Sequence, residues 1–292
     1  MEYNKAISDL RINDEIEGFY ILKSAVPKLT ANGKPFLVAS LSDRTGAVDA
    51  KVWDYSGPLG SADVGKVVKI RGNVSALVPV APIDTDREMA NVRALLESIE
   101  DADYRAVALE LLRRHEAKFA SIPAAKSVHH GFLQGLLMHT GNMMKLADFL
   151  AGLYADTVDR SLLLAGTFAH DLQKETEFVL SDLGLAVEYS VKGQLLGHLV
   201  MGAQEVAEVA RALGTPEEKS VLLQHVVLSH HGEPEFGAAV VPMCAEAELL
   251  SYIDKVDSRM EIYREAFEGL RPGEFSGRIF ALEKRIYKHD IG

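Results

Sequence analysis

Leu162-Leu163-Leu164-Ala165-Gly166-Thr167-Phe168-Ala169-His170-Asp171 is the stretch on which the reading of this chain turns. Seven of its first eight residues carry no polar side-chain group, and the run ends on an imidazole and a carboxylate. An ionised carboxylate at the end of such a run is costly unless it is paired or bound to a metal. Asp171 could instead cap the next turn. The same pattern recurs on either side. His139 sits in Gly135-Leu136-Leu137-Met138-His139-Thr140, and His198 follows Gln194-Leu195-Leu196-Gly197. His230-His231 follows Val226-Val227-Leu228-Ser229, and Asp254 ends Leu249-Leu250-Ser251-Tyr252-Ile253. A lone histidine on an apolar face is usually a satisfied core residue. Jointly, these polar breaks inside apolar helix-like stretches are all of ligand type, and a shared metal removes every desolvation cost at once.

The expected architecture is therefore a helical bundle closing around more than one metal ion, where bound water becomes a hydrolytic reagent near neutral pH. No thiolate is in the set, so the donors are nitrogen and oxygen, which suits Mn2+, Fe2+ or Zn2+, with Mg2+ and Co2+ also compatible. Seven ligands exceed the four of a structural zinc site. Two ions sharing Asp171 is the economical arrangement. Lys174, three residues on, faces the same site if the chain is helical there. Its ammonium would stabilise charge on a phosphoryl oxygen, or it is simply a solvated lysine near a helix end.

Helix-like periodicity covers 131–153, 160–172, 194–213, 217–229, 245–269 and 275–288, with two earlier helical stretches at 90–99 and 104–119. Gly214 and Thr215-Pro216-Glu217-Glu218 give a stop, then a start. Residues 12–80 read differently, as short strands at 16–23, 35–41, 47–53 and 66–72 with turns at Asn32-Gly33 and Asp43-Arg44-Thr45-Gly46. A small barrel is expected there, with a β-sandwich fragment as the alternative. The whole is an α+β multidomain chain: a β unit at 1–80, a helical linker region at 81–125, reached through the Pro/Asp-rich stretch 78–86, and an all-α domain at 126–292.

The chain has 292 residues, of which 48% are hydrophobic, enough for two domains with a sizeable core. No apolar run has the length of a membrane span, and Met1–Leu10 lacks the apolar centre of a signal peptide. The single cysteine, Cys244, excludes an internal disulfide framework and any Cys-rich zinc site. A cytoplasmic location is expected. The net charge of −11 is uneven: residues 1–75 hold 10 Lys/Arg against 9 Asp/Glu, the remainder 21 against 33. The N-terminal part is thus the less repelled by a polyanion, and the acidic part needs metal ions to accept phosphate.

The order His…His-Asp…His…His-His…Asp resembles the HD-domain superfamily of metal-dependent phosphohydrolases. Four longer blocks narrow this: His129–Thr140, Tyr189–His198, Ser229-His230-His231-Gly232 with Glu233 and Glu235, and Tyr252–Met260 resemble the YhaM-type 3′→5′ exoribonucleases. That family has an N-terminal OB-fold, and Lys34–Gly46 and Ala50–Asp54 are similar to its second and third strands. Two departures stand out: Gln173 where the family usually has glycine, and Pro79 arriving where a further hairpin completes the family's barrel, which leaves the fifth strand missing or truncated.

The resemblance implies two divalent ions, one on His139, His170, Asp171 and Asp254, the other on Asp171, His198, His230 and His231. It implies a hydroxide bridging them that attacks the terminal phosphodiester of single-stranded RNA or DNA, with Lys174 on a non-bridging oxygen and nucleoside 5′-monophosphates released. His129 and His130 are expected at the rim as phosphate ligands. Arg259 is expected to do the same or to pair with Asp257 or Glu261. On the β unit, Lys34, Arg44 and Lys51 are the expected phosphate contacts. Of the aromatics Tyr20, Phe36 and Trp53, Trp53 reads as core rather than platform. Other readings stay open: a nucleotide or cyclic-dinucleotide phosphohydrolase on the same ligands, or a non-catalytic nucleic-acid or nucleotide sensor. Homo-oligomer formation is left open.

Overall fold

A strand covered on one face buries every second side chain, and Glu15–Leu29 (β2) does so. Ile16, Gly18, Tyr20 and Leu22 are buried in alternation. A bulge between Leu22 and Ser24 then shifts the phase, so that burial resumes at Ala25. Pro35–Ser42 (β3) pairs antiparallel with the second half of β2, and Ala47–Trp53 (β4) pairs antiparallel with β3. Val67–Asn73 (β5) takes the other edge of the first half of β2, and Glu2–Tyr3 (β1) adds a short parallel pairing at Ile16 and Glu17. Leu22, Leu37, Ala39 and Leu41 form the centre of this unit's core. β1, β4 and β5 each pair on one side only, and β4 and β5 do not pair with each other among the described residues.

This computed structural model describes residues 2–11, 13–29, 33–74, 80–126, 130–181, 184–268 and 270–291. It divides into two units, Met1–Pro79 and Val80–Gly292. Asn32 of the expected Asn-Gly turn, residues 78–79 of the expected linker and most of the chain between β5 and Val80 lie outside the described residues.

The second unit is helical. Thr85–Glu97 (α1), Ala102–Phe119 (α2) and Arg160–Ala169 (α4) each begin at an aspartate, Asp84, Asp101 and Asp159, whose carboxylate accepts from the first-turn amides. Ser161 to Ala169 are all buried, as expected of a helix at the centre of a bundle. Around α4 pack α2, Gly135–Leu153 (α3), Glu217–Ser229 (α7) and Ala245–Glu268 (α8). Phe168 meets Phe119 edge-to-face at 5.4 Å. Lys174–Glu177 (α5) follows α4, then a hairpin of Phe178–Leu180 (β6) and Ala186–Tyr189 (β7), then Val191–Leu213 (α6).

Two expectations are corrected. Residues 81–125 are not a linker: Val92, Leu96, Val107 and Leu112 are fully buried, so α1 and α2 belong to the helical core. Residues 275–288 are not a helix: Glu274–Phe275 (β8) pairs with Tyr287–Lys288 (β9) around a 3-10 turn at Phe280–Leu282. Leu282 and Ile286 do face a common surface, that of Ile262 on α8, but through a folded-back hairpin.

One buried polar cluster ties the bundle together beside α5. His115 on α2 sets Nε2 2.8 Å from Glu205 Oε2 on α6 and Nδ1 3.1 Å from Glu175 Oε2 on α5. Gln173 donates to Glu205 at 2.6 Å. Burial works against a charge on His115, and the bonds to Glu175 and Glu205 outweigh it, pushing its pKa up to about 9. The folded state therefore holds the proton more tightly than the unfolded chain does. The resulting stabilisation is complete below the ordinary histidine pKa of about 6.5 and is lost as pH rises through about 9. In urea denaturation of the full chain, the midpoint is expected to fall between these pH values, and His115→Gln is expected to flatten that fall; an equal slope in both proteins contradicts the assignment.

Candidate metal centre

Five helices deliver ligands to one place, and the backbone explains how. α4 ends at Ala169, and His170 continues its turn with Nδ1 donating to the Thr167 carbonyl at 2.7 Å. His230, just past α7, repeats this on the Val227 carbonyl at 2.7 Å. Both rings thereby present Nε2 to the interior as a bare lone pair, the form a metal takes. α3 carries His139 and α8 carries Asp254.

His198 needs a special backbone. Gly197 takes φ 69° inside α6, kinking it just before the histidine. A Cβ on Gly193 would lie 2.4 Å from the Glu177 carbonyl oxygen, so only glycine lets the start of α6 approach α5 this closely. That approach sets Glu177 beneath His198: its carboxylate accepts from the His198 amide at 3.1 Å and from Nδ1 at 3.0 Å. The two glycines of Gly193-Gln194-Leu195-Leu196-Gly197-His198 thus have one purpose, the placing of this imidazole.

Asp171 is the hub. It is 2% exposed. Its Oδ2 lies 3.2 Å from His170 Nε2 and 3.6 Å from His139 Nε2; its Oδ1 lies 3.3 Å from His198 Nε2 and 3.7 Å from His230 Nε2. Asp254 Oδ1 lies 3.4 Å from His139 Nε2, which is itself 3.4 Å from His170 Nε2. The candidate ligand atoms form overlapping groups, among them His139 with His170 and Asp254, His170 with Asp171 and His230, and His198 with His230 and His231, each within 4.8 Å of one another. All seven residues singled out in the sequence come together.

The donors fit a divalent cation. Asp171 Oδ1, His198 Nε2, His230 Nε2 and His231 Nδ1 are buried without a hydrogen-bond partner, a costly state that a shared metal relieves. Burial opposes charge on Asp171, yet the surrounding His170, Lys174 and His198 hold its carboxyl well below the usual range. Burial, then the neighbouring His170, pushes His230 down, toward the neutral form a metal needs. His139 is pushed up to about 9, because Asp254 and Asp257 overcome its burial.

Glu177 went unnoticed in the sequence, and Asp257 was considered only as a partner for Arg259. Asp257 Oδ2 accepts from His139 Nδ1 at 2.7 Å and its Oδ1 from Asn142 at 3.1 Å. Asp257 lies three residues after Asp254, on the same helix face, and that spacing was the available signal. Each carboxylate orients an imidazole from behind.

Lys174 reaches the centre: Nζ is 2.6 Å from Asp171 Oδ2. Gln173, beside it, turns away to Glu205, so the departure from glycine leaves Lys174 in place. Burial opposes the Lys174 charge and Asp171 more than restores it, raising its pKa. His130 is corrected: it is fully buried rather than at the rim, with Nε2 3.4 Å from Asp257 Oδ2 and its ring 5.1 Å from that of His139. His129 lies outside the described residues. A cavity of about 780 Å³ opens from His139, Lys174, His231 and Asp254 toward Arg259. Arg259 forms no ion pair with Asp257 or Glu261 among the described residues, since His139 takes the first and Arg264 the second. On the N-terminal unit, Lys34, Arg44 and Lys51 are exposed. Trp53 is not core: it is 61% exposed and stacked on Phe36 at 5.3 Å, while Tyr20 is buried.

No helix among the described residues is long and apolar enough to cross a membrane. The HD domain family matches residues 136–259, the segment that carries all seven candidate ligands. Over 98% of its length the chain is 35% identical to the 3'-5' exoribonuclease YhaM of Geobacillus sp. (strain WCH70), covering 95% of that protein. It is 34% identical to the 3'-5' exoribonuclease YhaM of Bacillus subtilis (strain 168), with 97% of each chain covered. The same-named protein of Halalkalibacterium halodurans is 34% identical over 97% of this chain and 96% of its own. No solved structure matches the chain. With its ligand order intact and its relatives aligned nearly end to end, this chain belongs to the YhaM family of 3'-5' exoribonucleases, metal-dependent nucleases of the HD type.

Proposed function

We propose that the protein removes nucleoside 5′-monophosphates from the 3′ end of single-stranded RNA in the cytoplasm, using two divalent ions, with single-stranded DNA as a second substrate. The observation that carries this is the division of Asp171 between two ligand groups, Oδ2 toward His139 and His170, Oδ1 toward His198 and His230. His139, His170, Asp254 and Asp171 would hold one ion; His198, His230, His231 and Asp171 the other. Ions bound there would supply an acidified water and stabilise charge on the phosphoryl oxygens. Mn2+ suits a set of imidazoles and carboxylates without thiolate. Glu177 and Asp257 keep the ring protons of His198 and His139 on the outward nitrogens. Lys174 holds its proton beside Asp171 and offers it as a hydrogen bond to a phosphate oxygen.

A polymer rather than a free nucleotide is favoured by the N-terminal unit. Phe36 and Trp53 are paired neighbours on β3 and β4, and Lys51 Nζ lies 5.8 Å from the Trp53 ring centre. An exposed aromatic stack beside a cation is the physical makeup of a single-strand platform, sequence-tolerant because every base has a π-face. Lys34 and Arg44 would add backbone contacts. The order of strands β2 to β5 is compatible with an OB-fold lacking its last strand.

Asp171→Ala is expected to cut turnover of end-labelled single-stranded RNA about a thousandfold or more, since it removes a ligand to both ions. EDTA is expected to abolish activity and Mn2+ to restore it; wild-type rates in either case sink the site assignment. Asp257→Asn and Glu177→Gln are expected to weaken Mn2+ binding about 10- to 100-fold in titration calorimetry, and unchanged affinity contradicts their orienting role. Trp53→Ala is expected to raise KM for a long RNA about fivefold or more while leaving a dinucleotide unaffected. Equal effects on both substrates remove the platform role.

A further inference from the structure

The cavity above the metal ligands has an aromatic mouth. Phe280 and Phe236 both line it, and they are 95% and 65% exposed. Single exposed apolar side chains are ordinary on a protein surface and carry no meaning alone. Three features set Phe280 apart.

Its exposure is built rather than incidental. Leu282, two residues on, is buried against Ile262 of α8 with Ile286. Ile279 and Lys284 close the turn, the Ile279 amide donating to the Lys284 carbonyl at 2.9 Å. Glu283 takes φ 54°, a left-handed conformation that a non-glycine residue adopts at a cost. The turn is thereby locked with Leu282 inside and Phe280 outside.

The location is the second feature. Phe280 shares its cavity with His139, Lys174, His231 and Asp254, the ligands and the cation at its floor. One wall is a face of α8, where Lys255 and Arg259 stand one turn apart.

Charge is the third. Lys255 Nζ lies 5.4 Å from the Phe236 ring centre, and Arg259 points into the same space. The carboxylates of Glu233 and Glu248 also line the cavity. A phosphate backbone would therefore run along Lys255 and Arg259, and the bases would lie toward the aromatic rings. Aromatic faces with cations alongside recognise unstacked bases of single strands.

We propose that Phe280, with Phe236 as the second wall, stacks the nucleobase of the terminal nucleotide whose phosphodiester is placed over the metal ligands. This inference rests on the hydrolytic reading above. It makes the base a handle that positions the bond to be cut, so Phe280 is a substrate-binding residue of the catalytic unit itself, separate from the N-terminal platform.

The test uses the full chain with Mn2+ and two RNA pentamers, one intact and one abasic at the 3′-terminal residue. Wild type is expected to lose about 5- to 150-fold in kcat/KM on the abasic pentamer, the worth of one stacked base. Phe280→Ala is expected to show a comparable loss on the intact pentamer and little further loss on the abasic one. Phe280→Trp is expected to restore the intact rate. Since Phe280 makes almost no buried contact, its removal leaves the fold intact. Wild-type kcat/KM for Phe280→Ala on the intact pentamer, or a full additional loss on the abasic one, overturns the stacking site while leaving the nuclease reading standing. No turnover of either pentamer by wild type sinks both.

Discussion

A buried carboxylate is the constraint on which this molecule depends. Asp171 stands almost without solvent just past a helix that is buried from Ser161 to Ala169. An isolated charge there would cost far more than a domain's net stability. The Lys174 ammonium pairs with it at 2.6 Å, and the four imidazole nitrogens that face it at 3.2–3.7 Å form with it a donor set that a divalent cation would satisfy. Those imidazoles are in turn held by carbonyls at the ends of α4 and α7 and by the carboxylates of Asp257 and Glu177. Five of the helices are arranged so that each contributes to this one cluster. The hydrophobic core supplies the rigidity that keeps several unpartnered ligand atoms in the interior.

The same arrangement explains features that have no meaning locally. A kink at Gly197 breaks a good helix, and the absence of a side chain at Gly193 forgoes packing. Both serve to bring α6 down onto Glu177 and so fix His198. Gln173 takes part in a separate polar network with Glu205 and His115, and that network holds the turn from which Lys174 reaches Asp171. Structure-bearing and chemistry-bearing polar groups thus lie side by side, with α5 shared between them.

The side chains that gather around Asp171 were legible in the sequence because each is a polar break in an apolar run, a contrast that periodicity makes visible. α7 was legible at both ends because Gly214 and Pro216 mark its start and the paired histidines its end. The orienting carboxylates were not, since Glu177 lies in Lys174-Glu175-Thr176-Glu177, where a polar residue carries no contrast. Spacing of apolar residues misled at 275–288, where Ile279, Leu282 and Ile286 recur at helical intervals but reach one surface through a hairpin. Trp53 was misjudged because alternation assigns alternate residues to opposite faces without saying which face is covered; the face holding Phe36 and Trp53 is left to solvent. His130 was expected at the rim from the resemblance alone, whereas it lies buried, with a left-handed backbone at φ 55°, beside Asp257.

Crystals of the protein soaked in MnCl2 and measured at the manganese absorption edge address the central claim most directly. Two anomalous peaks separated by Asp171 are expected, one among His139, His170 and Asp254, the other among His198, His230 and His231. A single peak, or peaks away from Asp171, contradicts that claim.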